Sequence, residues 1–151
     1  MIDAFKKLFE TPPQETLADK EYRLRLAAAS LLVETARADF SEDKVEQATL
    51  EKLLHESLDL NRSEVQELIA KASAQLDEAT SLFEFTEIIN EHYLPAQKLD
   101  LISSMWRVAY ADGRLDKYEE YLIRQVAELC YVSHQDYIRT KLAAAPPSAT
   151  L

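Results

Sequence analysis

The side chains best placed to do chemistry lie in one stretch, YADGRLDKYEE, where Asp112, Asp116, Glu119 and Glu120 surround Gly113, the only glycine of the chain. Carboxylates spaced in this way could hold a divalent cation. An EF-hand loop sets oxygen ligands at positions 1, 3, 5, 7, 9 and 12, with glycine at 6. Placing Gly113 at position 6 puts Asp112, Asp116 and Glu119 at positions 5, 9 and 12, but positions 1 and 3 become Val108 and Tyr110, which cannot ligate calcium. This is half a site, to be completed by water or by a second corner. The same residues also make a helix corner. Gly113 would end one helix in the left-handed conformation, Asp116 would cap the next, and Glu119 would close a capping box. A capped corner without metal and a weak site for a divalent cation such as Ca2+ both fit the stretch.

No other part of the chain approaches an active site. Glu51 and His55 stand four apart on one helical face, but two ligands hold zinc poorly, so an exposed ion pair is expected there. His92 and His134 read as surface or capping residues. Cys130 lies among apolar neighbours and lacks the basic surroundings that activate a thiol. One glycine leaves no material for a phosphate-binding loop, and no nucleophile elbow is present. The expectation is a protein that is not an enzyme.

The elements that must position these groups are helices. Ala, Leu, Glu, Lys and Gln are abundant and no stretch alternates apolar and polar residues with a period of two, so the fold class expected is all-α, with about seven helices. Thr16 opens a helix ending near Asp39, with Leu24, Leu31, Leu32 and Thr35 at core spacing. Ser41 opens a second, to about Leu58, and the box Ser63 to Gln66 a third, to about Ala79. Leu82 to Asn90 is the fourth, Pro95 suits the first turn of a fifth, Asp116 starts a sixth and Ser133 a seventh. Tyr118, Leu122, Val126 and Leu129 are expected on the inner face of the sixth, Tyr137, Ile138 and Leu142 on that of the seventh. Trp106 with Tyr110 and Tyr118 is expected to belong to the core.

The domain expected spans residues 16–142. Before it, residues 1–15 comprise an amphipathic segment, with Ile2, Phe5, Leu8 and Phe9 on one face and Lys6 and Lys7 at its edge, and a proline linker. Such a segment suits docking on its own domain, a partner or, peripherally, a membrane. Residues 143–151 are expected to be a disordered tail.

A net charge of -10 removes nucleic acid as a partner, because no basic stripe is present to neutralise phosphates. Cations and basic proteins suit it better. The acids crowd between Asp39 and Glu67, a face that keeps the chain solvated. No apolar run is long enough to span a bilayer and no signal-peptide core is visible, so a cytoplasmic location is expected.

Ala38 to Glu46 and Ala111 to Glu119 align without a gap, with Ala, Asp, Asp, Lys and Glu repeated at one constant offset. Each copy reads helix, acidic corner, helix, capped turn, helix. Neither unit can bury its apolar face alone, so two pseudo-repeated units packed together are expected, with the fourth helix joining them.

The phrase from Ala109 to Glu120, followed by an isoleucine-bearing helix and the Ser-His-Gln-Asp start of the next, resembles the bacterial TerB-like family. That family includes the tellurite-resistance protein TerB and the N-terminal domain of a membrane-associated co-chaperone. The resemblance covers roughly Thr16 to Leu142. It implies an all-helical domain with internal twofold character, association with tellurite and stress-response systems close to the membrane, and divalent-cation binding by acidic corners. On this chain the ligands so implied are Asp112, Asp116, Glu119 and Glu120, with Asp39, Asp43 and Glu46 in the first copy. There Phe40 replaces the glycine, a departure from the motif. A binding or scaffold module that engages a protein partner is the function expected.

Overall fold

A computed structural model describes residues 16–38 and 44–147 of the chain. The ordered elements among them are seven helices: α1 (Leu17–Arg37), α2 (Lys44–Leu58), α3 (Arg62–Glu78), α4 (Phe83–His92), α5 (Pro95–Ala109), α6 (Lys117–Leu129) and α7 (His134–Ala144). The all-α expectation holds. None of these helices is long and apolar enough to cross a membrane. The amphipathic segment, the linker, Ser41 and the last four residues lie outside the described residues.

The helix starts follow local chemistry. Thr16 Oγ1 accepts the N–H of Asp19 at 3.1 Å, Pro95 occupies the first turn of α5, and Ser133 Oγ accepts the N–H of Asp136 at 3.1 Å. The cap of α3 differs from expectation. Asn61, not Ser63, starts it: its side chain accepts the N–H of Glu64 at 2.9 Å while Glu64 reaches back to the N–H of Asn61 at 3.1 Å. Two boxes overlap in this sequence, and the earlier one adds helical turn, with Val65 N–H bonding the carbonyl of Asn61 at 3.0 Å.

Two ends in the fold use the left-handed conformation without glycine. Asp59 (φ 53°) follows α2, and Tyr131 (φ 61°) follows α6. At the second, Val132 N–H bonds the carbonyl of Ala127 at 2.9 Å and Tyr131 N–H that of Glu128 at 3.2 Å, a Schellman motif. Asp59, Leu60 and Asn61 correspond, with a one-residue slip from the register of the corners, to Tyr131, Val132 and Ser133, so each copy closes its middle helix with a left-handed residue and opens the next with a polar cap.

The core sits where α1 and α5 meet. Leu31, Ile102, Met105 and Trp106 are buried there, and α1 brings Ala27 and Ala29, small enough to let neighbouring helices approach. α1 packs on α2 and α3 as α5 packs on α6 and α7, and each middle helix also touches the leading helix of the other unit, α2 on α5 and α6 on α1. The duplication read from the sequence is therefore also a symmetry of packing.

Three inward assignments change. Tyr118 is 63% exposed, because the capping box turns Glu119 inward in its place. On α7, Ile138 (37%) and Leu142 (59%) face outward, and the inner stripe is Tyr137, Thr140 and Ala144. That stripe is selected by Trp106, whose indole Nε1 donates to Thr140 Oγ1 at 3.1 Å inside the core.

Candidate functional site

The second acidic corner links α5 to α6. α5 closes with Tyr110 N–H bonding the carbonyl of Trp106 at 2.9 Å, and Gly113 N–H then bonds the carbonyl of Tyr110 at 2.9 Å. Gly113 takes φ +83° in open space, so it is required for its backbone conformation alone. Asp112 Oδ1 accepts the N–H of Arg114 at 2.9 Å, the local turn that aspartate favours. Leu115 then drops onto the core.

The remaining acids of the corner are engaged in the same way. Asp116 Oδ1 accepts the N–H of Tyr118 at 2.8 Å, and Glu119 Oε1 accepts the N–H of Asp116 at 3.3 Å. Glu120 binds Lys141 of α7 at 2.8 Å, and the same ammonium lies 5.8 Å from the centroid of the Trp106 ring. The corner thus joins α5, α6 and α7 through its acids. Carboxylates in the first turn also meet the positive end of the helix dipole.

In the first corner, Asp39 and Asp43 lie outside the described residues. Glu46 lies within them and is 1% exposed, as is Glu119, its equivalent in the second copy. The structure therefore divides the predicted acids. Asp112 is exposed, Asp116 and Glu120 are half-buried, and Glu46 and Glu119 are inside. Among the described residues no group of three or more His, Cys, Asp or Glu side chains is assembled to hold a metal ion.

The other reactive types are occupied structurally. The ring Nδ1–H of His55 donates to the carbonyl of Leu60 and closes the turn after α2, a role its spacing from Glu51 did not suggest. His134 stacks on Tyr137 with ring centroids 5.6 Å apart. Burial pushes the Cys130 thiol up to about 11, so it is protonated and inert at neutral pH. Burial likewise raises Tyr93, and burial with the nearby Glu120 carboxylate pushes Tyr137 up to about 12.

A groove of about 300 Å³, not foreseen from the sequence, opens between α2 and α5 over α1, with Ala28 and Leu32 in its floor, Leu53 and Leu58 on one wall, and Asp100 and Ser104 on the other. Its signal is weak because the residues that shape it, Ala28, Ser57 and Ser104, are small and lie on three separate helices.

A family model described as tellurite resistance protein TerB matches residues 25–142, from the middle of α1 to the last turn of α7. No curated protein and no solved structure matches the chain.

Proposed function

Because the chain belongs to the TerB family of tellurite resistance proteins, we propose that it is a non-enzymatic helical binding or scaffold module of a bacterial stress response, working through a protein partner and independently of metal. The observation that carries this reading is the state of the second corner. Asp112, Asp116, Glu119 and Glu120 each accept a hydrogen bond or ion pair from within the chain, so they serve as caps and ties between helices. A catalytic acid or base needs an oxygen turned toward substrate in a cleft, whereas these oxygens are engaged by backbone N–H groups of the corner and, for Glu120, by Lys141 of α7. The net charge of -10 favours a partner with a basic surface, whose association weakens as salt rises.

A second reading keeps a divalent cation. It is favoured by the carboxylates that the second corner gathers within two helical turns, Asp112, Asp116, Glu119 and Glu120.

Thermal melting separates the two readings. Under the metal-independent one, the midpoint is the same in chelator and in millimolar Ca2+, Mg2+, Mn2+ or Zn2+. A midpoint that climbs with the concentration of one of these ions favours the cation.

A further inference from the structure

The packing of the helices maps onto itself when α1, α2 and α3 are exchanged with α5, α6 and α7. Only α4 stands outside the exchange. Its stripe Leu82, Phe85, Ile88 and Ile89 faces the core, it packs on α1 and α6, and Asn90 Nδ2 donates to the carbonyl of Leu129 at the end of α6 at 2.9 Å. The exchange carries this seat between α1 and α6 to a seat between α5 and α2. That is where the groove of about 300 Å³ opens.

The chain contains a second segment of the α4 type. Ile2, Phe5, Leu8 and Phe9 repeat the spacing of Leu82, Phe85, Ile88 and Ile89 at every step, with Phe5 over Phe85 and Leu8 over Ile88. Each stripe also precedes the leading helix of its unit. We propose that residues 2–9 are the counterpart of α4 and dock, as a short amphipathic helix, in the α2–α5 groove of their own chain.

The offset between the two corners sets Tyr22 against Pro95, which opens α5, so α1 begins more than a turn early, at Leu17. That extra helix carries the start of α1 about 8 Å outward. The stretch from Thr11 to Thr16 can span about 20 Å when extended, a conformation that consecutive prolines such as Pro12 and Pro13 favour. Charge agrees as well: Asp100 is the charged residue of the groove lining, and Lys6 and Lys7 border the apolar stripe. A helix this short is not stable alone in water, so the groove supplies its order, in the manner of a helix-in-groove contact. This docking goes beyond the binding function and stands whether or not a partner or cation is found.

NMR on the isotope-labelled full chain tests it. Phe5→Asp should move the amide resonances of Leu53 to Leu58 and Gln97 to Ser104 and lower the melting midpoint by about 5 °C, while Asp3→Asn, on the face away from the stripe, should do neither. Ser57→Glu, made in the groove, should in turn move the resonances of residues 2–9. Groove resonances unchanged by Phe5→Asp overturn the proposal. It is also overturned if phosphatidylserine vesicles bind the segment while the groove resonances stay as they are, or if the groove shifts appear only at concentrations where sedimentation shows a second copy.

Discussion

Gly113 and Asp116 show how single residues build the corner without performing chemistry. Gly113 takes φ +83° where a Cβ would meet nothing, so Gly113→Ala should cost about 1 kcal/mol through backbone strain alone. Asp116→Ala removes the cap of α6 and should also cost about 1 kcal/mol; denaturant unfolding of each variant reads both values. This capping box was legible because Asp116 and Glu119 act on close neighbours along the chain, within reach of sequence spacing. Their fates in the fold were not legible: nothing local shows that Glu119 is buried while Asp112 stays in water. Tyr137 supplies a pH dependence. Burial first, and Glu120 second, favour its neutral phenol and push its pKa up to about 12, above the ordinary value of 10.0. Its contribution to stability is therefore complete below pH 10 and lost as pH rises toward 12. Tyr137→Phe should flatten alkaline unfolding across that window, followed by circular dichroism and phenolate absorbance.

Among the elements, α5 and α7 are joined by one buried polar contact, and its removal tests how the terminal helix is held. Thr140 Oγ1 accepts from the Trp106 indole at 3.1 Å and lies 2.9 Å from the carbonyls of Asp136 and Tyr137, to which it can donate. Thr140→Val keeps the shape but strands the indole N–H, and should cost about 1–3 kcal/mol by chemical denaturation. Trp106→Phe in the same background should show strong coupling in a double-mutant cycle. This pairing explains why the inner face of α7 was misjudged. Apolar spacing favoured Ile138 and Leu142, but a helix that packs mainly on α5 and α6 buries a narrow stripe, and Trp106 fixes which one. The start of α3 failed for a different reason, two overlapping boxes of which Asn61 comes first. Helix type, number and most boundaries were legible because caps and prolines are local signals. The α2–α5 groove was not, because three helices must meet before it exists.

For the molecule as a whole, the two units related by exchange of α1, α2 and α3 with α5, α6 and α7 form a framework in which the acids of the second corner end and join helices. The duplication was visible in sequence at the corners, and the paired left-handed residues Asp59 and Tyr131 extend it to the next turn. The proposed function lies on the surface of this framework, where a partner would be held. The most direct measurement is a calorimetric titration of the full chain with calcium, magnesium, manganese and zinc, repeated on the double variant Asp112→Ala with Asp116→Ala. A structural corner predicts no saturable heat up to millimolar metal in either protein, while the variant loses stability by the same amount with and without the ions. Saturable heat in the native chain that disappears in the variant would contradict it and make the corner a cation site.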